Sequence, residues 1–280
     1  MPELVLGGRT YDLAHRALVM GILNRTPDSF YDKGLTYDLD ALCRRAEQLT
    51  AEGADILDVG GVKAGPGPEV TEGEELDRVV GAISILADRF DVPISVDTWR
   101  ASVAKESYGA GAVLGNDISG FADPEYLEVA AAAGAGVVAT HIRLAPRVAD
   151  PEPVYVDVVG EVVAFLGDRA SRALRAGIEP TRIVVDAGLD LGKTAEQSLA
   201  LLRESSALAA LGYPLLLSAS NKTFLGRVLG LEIDQRQEAS LAAAAIGMAG
   251  GCRILRVHEV AATVRARDVV AAILEAVSFT

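Results

Sequence analysis

The chain has 280 residues, of which 50% are hydrophobic, so it is long enough to bury a large core. Its 39 acidic and 26 basic residues give a formal net charge of −13 at pH 7, which argues against a general nucleic-acid or anionic-membrane surface. The N-terminus lacks a basic segment followed by an apolar stretch, and no apolar run is long enough to span a bilayer, so we expect a cytoplasmic protein. Cys43 and Cys252 lack metal-ligand spacing and are expected to be reduced packing residues.

Residues 3–13 carry Gly7-Gly8 between two alternating segments, which predicts a β-hairpin that plugs one end of the fold. The predicted strands that follow are residues 17–23, 55–59, 93–96, 112–114, 136–139, 182–185, 213–217 and 254–257. The predicted helices between and after them are residues 39–52, 74–89, 99–108, 124–133, 156–176, 195–211, 235–249 and 264–276. Strand followed by helix, repeated eight times, requires parallel crossovers. The sequence therefore predicts an α/β fold, a single-domain (β/α)8 TIM barrel over residues 1–280.

A polar or charged residue stands at or just after the end of each predicted strand. In chain order these residues are Asn24, Asp58, Asp97, Asn116, His141, Asp186, Ser218 with Lys222, and Arg256 with His258. The active sites of TIM barrels lie at the C-terminal ends of the strands. The sequence thus predicts that the chemistry of this protein is concentrated at that face.

Asp97, Asn116 and Asp186 form the first candidate group at this face. A carboxylate can accept two parallel hydrogen bonds from an amidine-like edge, and an amide can bind a neighbouring donor and acceptor. These properties suit a planar nitrogen heterocycle. The alternative is that each aspartate caps the following helix, an explanation that weakens when three such residues converge.

Lys222, Arg256 and His258 form a second, cationic candidate group after the seventh and eighth barrel strands. The loops in this part of a TIM barrel often bind phosphate, so these cations predict an anionic ligand. The alternative is salt bridging to Glu259 or Glu232. Asn24 could lend its amide oxygen to a Mg²⁺ ion that is shared with phosphate oxygens.

Other chemistries find little support in the sequence. The segment from Gly188 to Thr194 looks like a P-loop but is one residue short between its glycines, because Ala187 occupies the place of the first glycine. The three histidines are not spaced as a metal cluster, and no serine lies in a nucleophile elbow.

Several motifs occur in order over nearly the whole chain. They are Met-Gly-Ile-Leu-Asn-Arg-Thr-Pro-Asp-Ser-Phe at 20–30, Asp-Val-Gly-Gly at 58–61, Ile-Ser-Val-Asp-Thr at 94–98, Asn-Asp-Ile-Ser-Gly at 116–120, Asp186 with Gly-Lys-Thr at 192–194, Ser-Asn-Lys at 220–222 and Arg-Val-His at 256–258. Together they resemble the motifs of dihydropteroate synthases. The resemblance implies a (β/α)8 barrel, commonly a homodimer. It also implies an enzyme that joins 6-hydroxymethyl-7,8-dihydropterin diphosphate to 4-aminobenzoate, with loss of diphosphate and assistance from Mg²⁺.

The resemblance implies a role for each matching position. Asp97, Asn116, Asp186 and Lys222 resemble the residues that bind the pterin, whereas Asn24, Arg256 and His258 resemble the diphosphate and Mg²⁺ site, with Asn24 as the metal ligand. Asp97, Lys222 and Arg256 are the candidate catalytic residues. In such a reaction diphosphate leaves early and an arylamine attacks the resulting pterin cation, so no strong general base is required.

The departures from the family pattern cluster around the expected 4-aminobenzoate pocket. Where the family has Glu-Ser-Thr-Arg-Pro-Gly, this chain has Val-Lys-Ala-Gly-Pro-Gly at 62–67, so Ala64 and Gly65 follow Lys63 in place of threonine and arginine. Asn221 replaces a second arginine, and Leu191 replaces a phenylalanine. Arg25 stands where a small apolar residue is usual. We therefore expect an intact pterin and diphosphate side and a rebuilt acceptor side.

Three interpretations are consistent with this pattern. The first is a paralogue that keeps a pterin or pterin-diphosphate site but condenses 4-aminobenzoate poorly or not at all, similar to the divergent and inactive second synthase homologue of actinobacteria. The second is an ordinary dihydropteroate synthase in which Lys63 and Arg25 replace the missing arginines. The third is a pterin-binding methyltransferase domain, although such a domain would not need Lys222, Arg256 and His258.

Overall fold

The computed structural model describes residues 3–26 and 38–277. Its strands are β1 (Glu3–Leu6), β2 (Arg9–Asp12), β3 (Leu18–Asn24), β4 (Ile56–Gly60), β5 (Ile94–Asp97), β6 (Leu114–Asp117), β7 (Gly136–Thr140), β8 (Ile183–Asp186), β9 (Leu215–Leu217) and β10 (Cys252–Val257). Its α-helices are α1 (Leu39–Ala51), α2 (Glu72–Arg89), α3 (Ala101–Gly109), α4 (Tyr126–Ala132), α5 (Val158–Arg175), α6 (Ala195–Arg203), α7 (Ser205–Ala209), α8 (Thr223–Leu229), α9 (Gln237–Ala249) and α10 (Val260–Val277). Strands β3 to β10 pair in parallel in chain order, and β10 pairs with β3 to close a barrel. The predicted (β/α)8 TIM barrel is confirmed.

Strands β1 and β2 form the predicted antiparallel hairpin. Gly7 and Gly8 make its two-residue turn with φ angles of +54° and +79°, the conformation that a tight hairpin requires and that glycine adopts without strain. Leu4 and Leu6 of the hairpin pack with Val138 and other residues that line the inside of the barrel. The hairpin thus fills the N-terminal end of the barrel, as predicted.

The barrel strands separate two apolar cores. The inner core contains Leu18, Met20, Ile56, Leu114, Val138, Val184, Leu216 and Ile254 together with the hairpin leucines. The outer core lies between the strands and the surrounding helices and contains alternate strand residues such as Val137 and Val185. Because side chains alternate along a strand, membership in one core or the other shows which face of the barrel each neighbouring residue occupies.

Local capping sequences fix several helix starts that position the loops of the C-terminal face. Thr71 and Glu74 form a capping box at the start of α2, and Thr194 and Gln197 form one at the start of α6. Each box satisfies backbone N–H groups that the first helical turn leaves unpaired. The loops before α2 and α6 therefore end at defined points.

Two expectations about the helices are wrong in detail. The helix predicted over residues 195–211 breaks at Glu204 (φ −94°, ψ 25°) into α6 and α7, where the buried Ser205 hydroxyl donates to the carbonyl of Leu202. Serine competes with helical backbone bonds in this way. The connection from β9 to α9 also contains the unpredicted helix α8, which ends at Gly230 in the left-handed conformation.

Further sequence-based expectations have mixed outcomes. Cys43 and Cys252 are both buried free thiols, as expected. Within residues 3–26 and 38–277, no helix combines the length and apolarity needed to cross a membrane. Residues 27–30 of the first family motif lie outside the described residues.

Candidate functional site

Strand alternation brings a ring of polar side chains to the C-terminal mouth of the barrel. This inner ring consists of Asp58, Asp97, Asn116, Thr140, Asp186 and Arg256. Five of these six residues lie two positions after an inner-core residue of the same strand. The sixth, Asp97, pairs in register with one of the five, Asn116. The structure therefore brings together five of the residues predicted at this face, namely Asp58, Asp97, Asn116, Asp186 and Arg256.

His141 is a correction to the predicted working face. It follows the inward-facing Thr140, so its side chain lies on the outer side of the barrel, where its ring packs edge-on against Phe165 of α5 at a centroid distance of 4.8 Å. Burial lowers the pKa of His141 to about 3, and the nearby Lys193 ammonium adds to this shift. His141 is therefore a neutral packing residue rather than part of the mouth.

Arg256 is held by two carboxylates of the inner ring. Its Nε donates to Asp58 Oδ2 at 2.6 Å, and its Nη2 donates to Asp97 Oδ2 at 2.7 Å. The amide of Asn116 also donates to Asp58 Oδ2, at 3.2 Å. Charge-assisted bonds of this length fix the guanidinium in the mouth. The pairing with Glu259 or Glu232 that was the alternative from the sequence does not occur for Arg256.

Burial raises the pKa of Asp97 to about 7, although the guanidinium of Arg256 opposes the shift. The nearby carboxylates of Asp58 and Glu75 raise it further. This carboxyl group is therefore easier to protonate than an ordinary aspartate, although in the structure its Oδ2 accepts a hydrogen bond from Arg256.

Asp186 ends β8 with its Oδ1 accepting the backbone N–H of Gly188 at 2.8 Å. Burial raises the pKa of this carboxyl, and the Gly188 N–H and the ammonium of Lys222 oppose that shift. Gly188 has φ +62°, and a Cβ there would collide with the carbonyl oxygen of His141, so the tight turn after β8 requires glycine. This turn fixes the carboxylate while leaving its other oxygen for a ligand.

Lys193, from the sequence that only resembled a P-loop, locks the connection between β8 and α6. Its buried ammonium donates to the carbonyls of His141, Gly188 and Leu191 at 2.8–3.2 Å. Burial lowers its pKa to about 7. Lys193 thus has a structural role in this connection.

Lys222 and His258 lie on neighbouring connections after β9 and β10. Burial lowers the pKa of Lys222, while Asp190 and Asp186 oppose the shift. Burial and the adjacent Arg256 and Lys222 lower the pKa of His258 to about 3. The imidazole of His258 is therefore neutral, which differs from the cation expected from the sequence.

Ser220 orients the His258 ring. The backbone N–H of His258 donates to Ser220 Oγ at 3.2 Å, and the same hydroxyl lies 3.0 Å from His258 Nδ1. Because this oxygen already accepts the backbone N–H, its own proton can bond to Nδ1, which places the ring proton on Nε2. His258 can then offer a neutral N–H donor to an anion.

Asn24 and Asp97 share the space beside Gly60 at the rim of the mouth. A Cβ at Gly60 would lie 3.6 Å from Asp97 Oδ2 and 3.7 Å from Asn24 Oδ1, so the absence of a side chain keeps this space open. Among the described residues no group of three or more His, Cys, Asp or Glu side chains could hold a metal ion. One or two hard oxygens do suit Mg²⁺, which keeps several waters and takes further ligands from phosphate.

A second cavity, the outer cleft, lies beside the mouth and has a volume of about 260 Å³. Its walls come from three loops and α8 and include Ala64, Gly65, Leu144, Arg147, Leu191 and Arg227. Three of the divergent positions predicted for the acceptor pocket therefore line one cleft. Lys63 directly precedes them, and its carbonyl accepts a bond from Arg147 at 3.3 Å.

Asn221, the fourth divergent position, does not line this cleft. Its backbone N–H donates to Ser240 Oγ at 3.0 Å, its Oδ1 accepts from the same hydroxyl, and its carbonyl accepts from Arg236 at 3.1 Å. Its φ of +57° lies in the left-handed region, which asparagine tolerates better than most residues. Asn221 thus links the segment before α8 to Ser240 of α9.

Arg147 is a residue that the sequence gave no reason to select. Its backbone N–H donates to the carbonyl of Ala64 at 3.1 Å, and its guanidinium donates to the carbonyls of Lys63 and Pro68. It thereby joins the loop after β7 to the loop after β4 across the outer cleft. Asp58 was predicted at this face but was assigned to neither candidate group, although its two-residue spacing from Ile56 places it in the mouth.

Comparisons with known proteins agree with this geometry. The sequence signature of the family described as pterin binding enzymes matches residues 20–258. The chain is 46% identical to "Inactive dihydropteroate synthase 2" of Mycobacterium leprae over 266 residues, which is 93% of this chain and 91% of that protein. It is 40% identical to the dihydropteroate synthase of Synechocystis, over 93% of this chain and 91% of that protein.

The structure is also similar to solved structures of dihydropteroate synthases. The crystal structure of Yersinia pestis dihydropteroate synthase with a sulfonamide drug superposes with a TM-score of 0.94 and 40% sequence identity. The superposition covers 98% of this chain and 99% of that one. The similarity therefore extends over the barrel and the loops of its C-terminal face.

Proposed function

The chain belongs to the family of pterin-binding enzymes, and from this premise we propose that its mouth binds 6-hydroxymethyl-7,8-dihydropterin or its diphosphate while it condenses 4-aminobenzoate weakly or not at all. The observation that carries the proposal is the contrast between the intact inner ring and the outer cleft. Ala64, Gly65 and Leu191 bring no polar side chain to that cleft.

The inner ring supports pterin binding. The Gly188 N–H holds Asp186, and Asp58 holds Asn116, so both side chains are oriented before a ligand binds. A carboxylate and an amide so placed can bind the amidine-like edge of a pterin through parallel hydrogen bonds. Asp97 and Lys222 complete the polar contacts that we assign to the heterocycle.

The diphosphate would lie toward β3 and β10. Arg256 uses two of its five N–H groups on Asp58 and Asp97 and can donate others to an anion there. The Nε2–H of His258 is a second donor, and Lys222 adds positive potential. The oxygen of Asn24 fits Mg²⁺, which would neutralise the leaving diphosphate when bound. In the condensation of the family, the bond between the pterin methylene carbon and the diphosphate oxygen breaks, and diphosphate leaves with the bonding electron pair. The amine of 4-aminobenzoate then forms the new C–N bond, and its proton passes to solvent.

The acceptor side supports weak condensation. Meeting a benzoate carboxylate needs cationic or N–H donors, and losing such contacts costs about 2–5 kcal/mol for each desolvated pair. The guanidinium of Arg147 already donates to two main-chain carbonyls, those of Lys63 and Pro68, so it is engaged by the protein. Asn221 contacts Ser240 and Arg236 rather than the cleft.

The runner-up is an ordinary dihydropteroate synthase in which Lys63 and Arg25 replace the missing arginines. One contact argues against a direct role for Arg25, because its Nη1 donates to the carbonyl of Arg78 at 2.7 Å. A pterin-binding methyltransferase is the least favoured function, because a methyl carrier would not need the Arg256 and His258 group.

We also propose a cytoplasmic homodimer. Ile246 on α9 and Val269 and Ile273 on α10 are large aliphatic side chains that are each about 60% exposed (58%, 62% and 58%). Exposed apolar surface on neighbouring helices favours association with another protein surface. Sedimentation of the purified chain tests this proposal, and a monomer at micromolar concentration would contradict it.

A coupled diphosphate-release assay tests the proposed function. The purified chain receives pterin diphosphate with Mg²⁺, with and without 4-aminobenzoate, and calorimetry measures pterin binding in parallel. We expect pterin binding and little or no release that depends on 4-aminobenzoate. A kcat/KM of about 10⁴ M⁻¹s⁻¹ or more would be ordinary turnover and would contradict the proposal.

Restoring the family residues locates the defect. The variant carrying Ala64→Thr, Gly65→Arg, Leu191→Phe and Asn221→Arg is expected to exceed the wild-type activity measurably. Because Asn221 has φ +57°, its replacement by arginine adds strain of about 1 kcal/mol, so the triple variant without it is the matched comparison. No gain in either variant would place the defect elsewhere.

A further inference from the structure

Asp190, in the connection between β8 and α6, brings an acidic side chain to the wall of the outer cleft. Its Oδ2 accepts the backbone N–H of Thr223 at 2.5 Å, and the backbone N–H of Phe224 donates to both carboxylate oxygens at 3.2 Å. Thr223 lines the same cleft. The protein itself therefore occupies these two main-chain donors where the cleft meets α8.

The backbone holds Asp190 in a conformation that few residue types adopt. Its φ of +66° lies in the left-handed region. Its backbone N–H donates to Ser198 Oγ at 3.2 Å, so α6 holds the main chain while α8 holds the carboxylate. A residue other than glycine keeps such a conformation only where its surroundings determine it. The carboxylate is therefore a fixed part of the cleft wall.

The other charged residues that line the cleft are engaged by the protein or by solvent. The ammonium of Lys193 donates to three main-chain carbonyls, the guanidinium of Arg147 donates to two, and Asp150 forms an ion pair. Arg227 is exposed on α8, where solvent screens its charge. Within residues 3–26 and 38–277, Asp190 is thus the acidic lining residue that has no ion pair.

Asp190 also lies close to the mouth. Among the charges that oppose the lowered pKa of Lys222, that of Asp190 has the largest effect, ahead of that of Asp186. The carboxylate therefore stands where the outer cleft joins the mouth. An amine that enters through the cleft to reach a ligand beside Lys222 meets this carboxylate.

We propose that Asp190 is a specificity-determining residue of the outer cleft, whose carboxylate disfavours acceptor amines that carry an acid group and favours neutral amines that offer an N–H donor. This inference rests on the proposed function, because an acceptor is needed only if the mouth holds the pterin. A carboxylate accepts hydrogen bonds and donates none, and like charges brought together in a cleft repel. The acceptor class is therefore an amine that has a neutral polar group in place of the acid.

Two amines that differ only in this group test the proposal. 4-Aminobenzamide and 4-aminobenzoate are titrated into the intact chain saturated with 6-hydroxymethyl-7,8-dihydropterin, and ligand-observed NMR measures both affinities. We expect wild type to bind the amide about 3- to 10-fold more tightly than the acid. Asp190→Asn can keep a bond to α8 through its amide oxygen but removes the charge, so the preference should fall below about 2-fold.

Asp157→Asn is the matched control. Asp157 accepts a main-chain N–H at the start of a helix in the same way, since its Oδ1 accepts from Gly160 at 3.1 Å at the start of α5, but it does not line the outer cleft. This variant should keep the preference of wild type. Circular dichroism checks folding, and Asp190→Gly is the second variant if Asp190→Asn does not fold, because glycine adopts φ +66° without strain.

The outcomes separate this inference from the function on which it rests. If wild type binds the pterin but does not prefer the amide, or if Asp190→Asn keeps the full preference, this inference alone is wrong. An equal change in Asp157→Asn would also overturn it, because the effect would then be one of net charge. Binding of neither amine to the pterin-loaded chain would overturn it as well. If wild type does not bind the pterin, the proposed function fails, and the inference fails with it.

Discussion

The inner ring and the outer cleft occupy the same end of the barrel but are built differently. Every ring residue stands on a strand, where register and side-chain alternation fix its direction, and four of the six bond to one another. The cleft is lined by loops, and Arg147 crosses it through bonds to main-chain carbonyls. Because main-chain carbonyls exist whatever the side chains are, loop positions such as Ala64 and Gly65 can change without disturbing the barrel. The two halves of one site can therefore diverge at different rates.

The largest expected effect concerns the ring. Asp186→Asn keeps the size of the side chain but removes the charge-assisted acceptor, so we expect pterin affinity to fall by about 2–4 kcal/mol. Calorimetry measures this loss. Asp190→Asn is the control, because Asp190 lies in the next connection and accepts the backbone N–H groups of Thr223 and Phe224. Equal pterin affinity of wild type and Asp186→Asn would show that the inner ring is not the pterin site.

A smaller effect tests whether the face of a strand decides the role of its residues. His141 directly follows β7 and faces outward, so His141→Leu should alter stability and leave pterin affinity unchanged. Its folded pKa of about 3 lies below the unfolded value of about 6.5, so its contribution is complete above pH 6.5 and is lost as the pH falls toward 3. At pH 5 wild type should therefore lose about 2 kcal/mol more, relative to pH 8, than the variant.

Urea unfolding at the two pH values measures this difference. If the free energy of unfolding fell equally in the two proteins between pH 8 and pH 5, the prediction that His141 is buried in its neutral form would be wrong. A large change in pterin affinity in His141→Leu would instead contradict the division between inward and outward strand residues.

The smallest expected effect concerns the cleft. Arg147→Met keeps most of the aliphatic part of the side chain and removes its bonds to the carbonyls of Lys63 and Pro68. We therefore expect the free energy of unfolding to fall by about 1 kcal/mol. Pterin affinity should stay within about 2-fold, because no ring residue contacts Arg147. Arg143→Met, which breaks the ion pair with Asp150 in the same loop, is the matched control. A loss of pterin binding as large as that of Asp186→Asn would show that ring and cleft are coupled.

The barrel and five members of its ring could be predicted because both follow from local patterns. Short apolar segments that alternate with helical ones define the strands, and the polar residue at a strand end marks the mouth. The same rule failed for His141, since the end of a strand does not by itself tell which face a side chain takes. Counting in twos from Val138 would have separated Thr140 from His141.

The partners of the site residues could not be predicted. Arg256 bonds to Asp58 and Asp97, which precede it by 198 and 159 residues, and only closure of the barrel brings them together. The neutral state of His258 has the same origin, because it depends on burial beside Arg256 and Lys222. The role of Arg147 depends on main-chain carbonyls, which carry no signal in the sequence.

The hairpin at the N-terminal end of the barrel has a consequence for synthesis on the ribosome. Arg253 at the start of the last strand donates to the carbonyls of Leu13 and Ala14, and β10 pairs with β3, so the seat of the hairpin is complete only when the final strand arrives. At about 5–20 residues per second, the 240 residues between Leu13 and Arg253 take about 12–48 s to translate. During that interval Leu4 and Leu6 have no finished barrel to enter. The nascent chain therefore keeps these two leucines without their final packing partners for that interval, and chaperones have that long to bind them.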